Sequence, residues 1–424
     1  MVHGSRFRWW PPGRGGGARE WRERAAAVLA QPYAASLWHY PTFRADAPWY
    51  FARGAGARLW DHDGREFLDL EMGLGPVLLG YDHPVVRRAL RRHTRMPVVG
   101  TLLHPSEVEV AELLVEMVPS AQLAVFGKNG ADACTAAARV ARAATGRNMI
   151  ISSGYHGMHD WYVADCYPGP GLVPSFAGYV KNFAFNDLDA LARLAEQYAG
   201  DIAAIMLDPA NREIPRDDFL PGVRRIADAH GALLIFDEVL TGFRIHRGGG
   251  QALYGVTPDL TCLGKALANG LPLSALVGRA DLMQVIDPVF YGLTYQHDSI
   301  ALAVSSACLR YYRDHDVAGT VARKGEIIRC SFNAASAAAG LSGRGVGPAA
   351  RFELDFWPVD SVGTVEQQLV FFRACLEHGV LPVRVVLPCE LLTDADLEQV
   401  QRAFDHGCKQ VARYLDGGRA GAPP

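Results

Sequence analysis

Short apolar runs alternate with helical patterns along the middle of this chain, from about residue 80 to residue 315. The apolar runs read QLAVFG, NMIISSG, IAAIMLDP, GALLIFDE and LTCLG, and the first of them follows the helical stretch HPSEVEVAELLVEMV. This alternation is typical of βαβ units, whose parallel strands are buried on both faces and are therefore apolar throughout. We predict an α/β fold with a mainly parallel sheet flanked by helices.

The two ends of the chain have different patterns. Residues 57–70, ARLWDHDGREFLDL, contain two strand-like pieces around Asp63 and Gly64, which is a strong hairpin signal. Beyond residue 320 we expect an alanine-rich helix, a strand in ARFELDFW, a helix near TVEQQLVFFRACLEHG and a last helix from Asp394. The predicted organisation is a flexible leader (1–30), an N-terminal segment with the β-hairpin (31–79), a large domain (80–320) and a small C-terminal α+β domain (321–424).

The composition excludes several classes of function. The 424 residues are 49% hydrophobic and carry a net charge of −3, which argues against a nucleic-acid surface or a polybasic membrane patch. The eight cysteines include no CxxC pair, a pattern that favours reduced thiols over a disulfide framework or a zinc site. No apolar run reaches the roughly 18 residues of a spanning helix, and the N-terminus lacks a signal-peptide core. We expect a soluble, cytoplasmic protein.

Two charged residues follow apolar strands in positions where α/β proteins bind ligands. In LLIFDEVLTGF the strand runs directly into Asp237 and Glu238, and a charge there is costly unless a cation meets it. The strand LTCLG ends at Lys265, beside a glycine-rich turn. A desolvated lysine loses its proton more easily, and the neutral amine is the form that makes Schiff bases.

These two residues together suit pyridoxal phosphate. A carboxylate such as Asp237 would hold a pyridine nitrogen protonated, although an ion pair with an arginine is the alternative. The cofactor's phosphate would need an anion site, and the turn Gly127–Gly130 leads into a helix whose N-terminus can supply one. GKNGAD does not match the dinucleotide-binding glycine pattern. Tyr155 follows another strand and could lie flat on a ring.

No metal site is expected from the sequence. Asp61, His62 and Asp63 are neighbours on a turn and point in different directions, while His156 and His159 have no evident third ligand.

The chain resembles class III aminotransferases of the fold-type I pyridoxal-phosphate group, and most closely their glutamate-1-semialdehyde 2,1-aminomutase subgroup. The resemblance covers about residues 48 to 315 and continues more weakly to the C-terminus. It is carried by DEVLTGFR, PDLTCLGKALANGLPLSALVGR, YHG, KNGADA and LDLEMGLGPVLLGYDHP. The resemblance implies that Lys265 is the Schiff-base lysine and that Asp237 lies at the pyridine nitrogen. It places Val239 and Tyr155 at the two faces of the ring, and it places the phosphate at Asn129, Gly130 and Ala131. It also implies a homodimer with shared active sites, in which Thr294 reaches the phosphate of the neighbouring subunit.

The chain departs from the family pattern on both the substrate side and the cofactor side. The aminomutase subgroup's SWGP reads GLGP here (residues 73–76), and the family's Glu-Pro strand end is Asp208-Pro209. The glutamine by which many family aminotransferases contact the cofactor is Leu240, and Asn129 and Ala131 stand where the family's phosphate turn usually offers hydroxyls. We therefore expect an aminotransferase acting between an amino donor and a keto or aldehyde acceptor, in a specialised biosynthetic pathway. An intramolecular aminomutase, an epimerase or a decarboxylase remains the alternative. A non-catalytic ligand-binding homologue is disfavoured because Lys265 and Asp237 are both present. Arg44 and Arg384 are candidates to bind a substrate carboxylate.

Overall fold

The computed structural model describes residues 17–30, 50–356, 363–381 and 384–418. Its first elements are helix α1 (Ala18–Val28) and strands β1 (Phe51–Ala55), β2 (Arg58–Asp61) and β3 (Glu66–Asp69). β2 and β3 pair antiparallel around Gly64, whose φ of +80° favours glycine, so the predicted hairpin is confirmed. Within the predicted leader (1–30), residues 18–28 form helix α1, and the Ala18 N–H at its start donates to Asp63 Oδ1 (3.0 Å).

The centre of the molecule is a seven-stranded sheet. Its strands are β4 (Leu123–Gly127), β5 (Met149–Ser153), β6 (Val180–Asn182), β7 (Ile202–Leu207), β8 (Leu233–Glu238), β9 (Leu260–Leu263) and β10 (Ser274–Gly278). Their order is β4-β10-β9-β8-β7-β5-β6, with only β10 antiparallel to its neighbours among these strands. Every residue of β5, β7, β9 and β10 is buried. The predicted α/β fold with a mainly parallel sheet is confirmed.

Helices cover both faces of this sheet and explain why its strands are apolar throughout. They are α2 (Pro84–His93), α3 (Ser106–Met117), α4 (Gly130–Thr145), α5 (Asp160–Cys166), α6 (Leu188–Gln197), α7 (Phe219–His230), α8 (Gly249–Tyr254), α9 (Ala280–Met283), α10 (Ser299–Asp314) and α11 (Val317–Ala338). Short 3₁₀ turns occupy Pro174–Gly178, Lys265–Ala268 and Gln284–Ile286. In the part of the chain that the structure describes, no helix combines the length and the apolar character needed to cross a membrane.

The C-terminal part contains β11 (Arg344–Val346), β12 (Phe352–Asp355), α12 (Thr364–Glu377), β13 (Val380–Leu381), β14 (Val385–Val386) and α13 (Asp394–Gly418). The predicted strand in ARFELDFW and the last two predicted helices are therefore confirmed. β11, β12 and β14 form an antiparallel sheet, whereas β13 pairs in parallel with β3 of the N-terminal hairpin. Aromatic rings fill the core between the helices, with Phe332 lying edge-to-face against Phe356, Phe371 and Phe404.

Candidate active site

Asp237 lies at the carboxyl end of β8 and is only 3% exposed. His156, in the loop after β5, shares a hydrogen bond of 2.8 Å between its Nδ1 and Asp237 Oδ2. The Cys134 thiol donates to the same oxygen (3.3 Å), and the Val239 N–H donates to Asp237 Oδ1 (3.0 Å). Burial alone would lower the pKa of His156, but the hydrogen bond and the charge of Asp237 raise it on balance. Asp237 is therefore paired with a histidine, and no arginine is found beside it among the described residues.

Glu238 points to the opposite side of the sheet and has a structural role. Successive side chains of a strand alternate between faces, so the two adjacent acids separate. The Glu238 carboxylate accepts hydrogen bonds from the Gly250 N–H (2.6 Å), the Gln251 N–H (3.0 Å) and the Thr241 hydroxyl (2.7 Å). The first two donors lie in the first turn of α8, so Glu238 satisfies N–H groups that the helix itself leaves unbonded.

β9, the strand neighbouring β8, ends at Leu263, and after Gly264 the residue Lys265 begins a 3₁₀ turn with a φ of +44°. Burial lowers the pKa of its amine, while the charges of Asp237 and Asp208 act in the opposite direction. Asn269 closes the turn with a φ of +43°, and its side chain accepts from the Leu79 N–H (2.8 Å) and donates to the Gly80 carbonyl (3.2 Å). The unusual backbone at Lys265 is thus held by a buried amide.

Asp208, directly after β7, is a second carboxylate near Asp237, and these two acids with His156 and Lys265 form a group that we call the catalytic cluster. Burial and the neighbouring charge of Asp237 raise the pKa of Asp208 to about 7, against the charges of His156, Arg351 and Lys265. A carboxyl group that titrates near neutral pH beside a buried lysine is a common property of functional sites. Sequence reasoning noted Asp208 only as a departure from the family's glutamate.

The turn before α4 has the geometry of an anion site. The Lys128 and Asn129 N–H groups both donate to Asp132 Oδ2 (3.0 and 2.7 Å), which fixes the start of the helix. The first-turn N–H groups of Gly130 and Ala131 have no acceptor within the helix. A Cβ at Gly130 would lie 2.7 Å from Val239 Cγ1, so only glycine lets the helix start approach β8 this closely.

The remaining predicted site residues are placed as follows. Val239 comes two residues after Asp237 and packs against Gly130. Tyr155 is 57% exposed and lies edge-to-face with Tyr162 and Tyr167, at 6.2 Å between ring centroids in both cases. Thr294 is exposed in the turn before α10. That turn is connected to the anion site of its own chain by the ion pair of Lys128 Nζ with Asp298 Oδ2 (2.8 Å).

Sequence reasoning missed two of the residues around Asp237. His156 was considered only as half of an incomplete metal pair, whereas it is the partner of Asp237, and His159 lies elsewhere, bonded to the Thr135 hydroxyl (2.7 Å). Cys134 gave no signal, because nothing local marks a cysteine on a helix as the neighbour of a residue about a hundred positions later.

The donor atoms of Cys134, His156 and Asp237 lie within 4.8 Å of one another, a spacing that a metal ion could bridge. However, the hydrogen bond with Cys262, burial and the charge of Asp237 raise the pKa of the Cys134 thiol well above its ordinary value. The thiolate is the form that binds metals, so this cluster favours a hydrogen-bond network.

Comparison with known proteins identifies the family. The model of the class-III aminotransferase family matches residues 43–404. The chain belongs to this family. Relatives of this class III aminotransferase include a glutamate-1-semialdehyde 2,1-aminomutase of Roseiflexus castenholzii, 36% identical over 79% of this chain and 83% of the relative. The 2'-deamino-2'-hydroxyneamine transaminase of Streptomyces kanamyceticus is 35% identical over 84% of this chain and 88% of the relative.

A solved structure of similar fold carries the cofactor. The FumI protein of Sphingopyxis sp. MTA144, determined in its pyridoxal-phosphate internal aldimine form, is 28% identical, covers 96% of this chain and 98% of its own, and has a TM-score of 0.87. The family and this neighbour identify pyridoxal phosphate as the cofactor of the class III aminotransferase described here, and the enzyme class predicted from the sequence is confirmed.

The residues present fit this cofactor. A buried carboxylate held by His156 suits a protonated ring nitrogen, a lysine whose pKa is lowered by burial lies just beyond the end of the neighbouring strand, and a helix N-terminus offers free N–H groups. Ser274 Oγ is buried beside Gly127, at the base of the anion turn, without a hydrogen-bond partner among the described residues. An ordered anionic group in this turn would give such orphaned donors an acceptor.

Proposed function

We propose that this class III aminotransferase moves an amino group from an amino donor to a keto or aldehyde acceptor, with Lys265 as the residue that binds the cofactor covalently and transfers protons. The observation that carries the proposal is the position of Lys265 and Asp237 at the ends of adjacent strands, where burial lowers the pKa of the lysine amine. An amine that gives up its proton readily can serve both as a nucleophile and as a base.

Each residue has a distinct task in this proposal. Bound pyridoxal phosphate supplies an electron sink for the negative charge left when a substrate carbon loses its proton. The Asp237 carboxylate holds the proton on the ring nitrogen, and His156 holds the carboxylate in place. The Lys265 amine takes the proton from the substrate carbon and returns it to a neighbouring atom. Val239 and Tyr155 contact the two faces of the ring.

The phosphate is assigned to the turn at Asn129, Gly130 and Ala131. The turn lacks the hydroxyl groups that the family usually offers, so the backbone N–H groups and the positive end of α4 supply the binding. Because these donors belong to the backbone, side-chain substitutions at Asn129 or Ala131 affect phosphate binding less than a substitution that shifts the turn.

We also propose a homodimer with shared active sites, in which Thr294 reaches the phosphate of the neighbouring subunit. Phe290, four residues before Thr294, is 84% exposed, and Leu102, four residues after Val98, is 88% exposed. The Ser299 N–H donates to the Val98 carbonyl (2.8 Å) and joins the two chain segments to which these side chains belong. Large exposed apolar groups are characteristic of a surface that a partner covers. An exposed Thr294 within that surface suits a contact across the interface.

The substrate side favours transfer between two molecules. The GLGP loop lacks the aromatic residue of the aminomutase subgroup, and the Cβ of any larger residue at Gly75 would lie 2.7 Å from Leu240 Cδ1. This altered pocket supports a transaminase of a specialised biosynthetic pathway. We propose separately, from the composition of the chain, that the enzyme works in the cytoplasm. The second candidate is an intramolecular aminomutase, which the apolar Leu240 favours because that subgroup also lacks the glutamine there.

The test is an absorbance spectrum of the purified protein with a panel of amino donors, compared with Lys265→Ala and with Lys409→Ala, an exposed lysine on α13. We expect a visible band of the lysine-bound cofactor in the wild type and in Lys409→Ala, lost in Lys265→Ala and bleached by at least one donor. A band that no donor bleaches would favour the aminomutase. A full band in Lys265→Ala would refute the assignment of the lysine.

A further inference from the structure

The site described above contains no group assigned to the substrate. Arg44 lies outside the described residues, so the structure does not test it. Arg384 donates from Nε to Glu353 Oε2 (3.0 Å) and has 44% of its side chain exposed. A different arginine, Arg351, approaches the catalytic cluster from the C-terminal part of the chain.

Arg351 is placed there by contacts of its backbone. It directly precedes β12, and the carbonyl of the residue before it, Ala350, accepts a hydrogen bond from Arg244 Nη1 (3.2 Å). The turn that leads to Arg351 packs on the loop after β7, because a Cβ at Gly347 would lie 3.3 Å from the Asn211 carbonyl oxygen. That loop begins at Asp208. Arg351 is close enough for its charge to act on the catalytic cluster. That charge contributes to the lowered pKa of Lys265, and at Asp208 it opposes the rise in pKa that burial and Asp237 cause.

The guanidinium of Arg351 is incompletely bonded. Its Nη2 donates to Glu353 Oε1 (3.1 Å), but Nε and Nη1 are shielded from water and have no acceptor among the described residues. Glu353 also pairs with Arg384, so a single carboxylate serves two guanidinium groups and one positive charge is left over. Buried donors without acceptors are costly, and an acceptor that arrives with a ligand removes that cost.

We propose that Arg351 binds a carboxylate of the amino substrate and thereby makes the enzyme select amino acids over simple amines. The inference rests on the proposed transaminase function and adds the residue that sets its specificity. The side chain is 12% exposed, so part of it is accessible, and binding would require the guanidinium to rotate its two shielded nitrogens towards the incoming carboxylate. Arginine suits this task because its planar fork matches a carboxylate.

The test measures binding of succinate, an inert dicarboxylate, to the holoenzyme by isothermal titration calorimetry. Arg351→Gln is expected to raise the dissociation constant roughly 10- to 100-fold, the range for a lost hydrogen bond to a charged group. Glu353→Gln tests whether Arg351 acts only as a partner of Glu353, and it is expected to change the constant less than threefold. Arg212→Gln, which removes a neighbouring guanidinium paired with Asp355, is the matched control and should leave it unchanged.

A second readout compares donors. Arg351→Gln should slow bleaching of the cofactor band by glutamate or β-alanine and leave bleaching by benzylamine unaltered. If Arg351→Gln does not fold, Arg351→Lys replaces it, and a loss of roughly 3- to 10-fold is expected because one point charge replaces the fork. An unchanged succinate constant in the variant that folds, an equal loss in Glu353→Gln, or no succinate binding by the wild type would each overturn the proposal.

The outcomes separate the two hypotheses. If no donor bleaches the band but Arg351→Gln still loses succinate, the carboxylate site stands and the transaminase assignment fails. If donors bleach the band equally well in Arg351→Gln and the wild type, the transaminase assignment stands and the specificity role of Arg351 fails.

Discussion

Replacing Asp208 with asparagine should stabilise the cofactor-free protein, and the gain should grow with pH. Asp208 has a raised pKa because burial and the Asp237 charge disfavour its ionised form, despite opposing charges from His156, Arg351 and Lys265. In the unfolded chain the same group ionises at its ordinary pKa. A carboxyl group whose pKa is raised by folding therefore costs stability as soon as the unfolded form ionises, and the full cost is reached above the folded pKa.

The magnitude follows from the two pKa values. The ordinary value is 3.8 and the folded value is about 7. Each unit of difference corresponds to about 1.4 kcal/mol, so the ionisation of Asp208 costs about 2 kcal/mol at pH 5 and about 4 kcal/mol above pH 7. Asparagine has the shape of the protonated acid without its titration, and removes this cost at both pH values.

The assay is urea unfolding of the cofactor-free wild type and Asp208→Asn at pH 5 and pH 8, followed by circular dichroism. The stabilisation should be larger at pH 8 by about 2 kcal/mol. Asp259→Asn is the control of opposite sign, because burial raises the pKa of Asp259 but hydrogen bonds from Leu234 and Arg224 lower it on balance. That variant should lose stability at both pH values. The reasoning would be refuted if Asp208→Asn did not increase the free energy of unfolding, or if it increased this free energy equally at pH 5 and pH 8.

Three further results are expected. Gly130→Ala places a methyl group 2.7 Å from Val239 Cγ1, so a fluorescence titration should show pyridoxal phosphate binding roughly tenfold more weakly, and an unchanged affinity would contradict the role of the turn. Asn269→Ala leaves buried backbone groups unbonded at a φ of +43°, and thermal unfolding should show a loss of about 2–4 kcal/mol. Chains carrying Lys265→Ala and Thr294→Asp should regain activity when mixed, because each mixed dimer contains one intact site, whereas independent sites would give no gain.

The strand ends near Asp237 and Lys265 could be predicted because the sequence features that mark them are local. The apolar runs before Asp237 and Lys265 identify two buried strands, and the carboxyl ends of neighbouring parallel strands lie at the same edge of the sheet. The partner of Asp237 could not be predicted in the same way. His156 reaches it from another strand end about eighty residues earlier, and only the order of strands in the sheet brings the two together.

Other parts of the site show where a local pattern is insufficient. The separation of Asp237 from Glu238 could have been predicted from the alternation of side chains in a strand, since adjacent residues face opposite sides. Arg351 could not, because arginine is abundant in this chain and nothing near it in sequence marks one guanidinium as partly unbonded. Residues 18–28 were predicted to be a leader from their glycine- and proline-rich surroundings, and a hydrogen bond to the distant Asp63 helps to order them as a helix. The division into four regions stays a prediction.

The parallel pairing of β3 with β13 has a consequence for synthesis on the ribosome. β3 belongs to the hairpin near the start of the described chain, and its neighbour in the sheet, Val380–Leu381, is made roughly 300 residues later. Until then one edge of the nascent hairpin sheet has unpaired N–H and C=O groups, and Leu68 and Leu70 lack the core that Phe352 and Phe371 later complete. This part of the molecule can therefore complete its fold only after those later residues have been made, and its exposed strand edge is where chaperone binding or aggregation of the unfinished chain should begin.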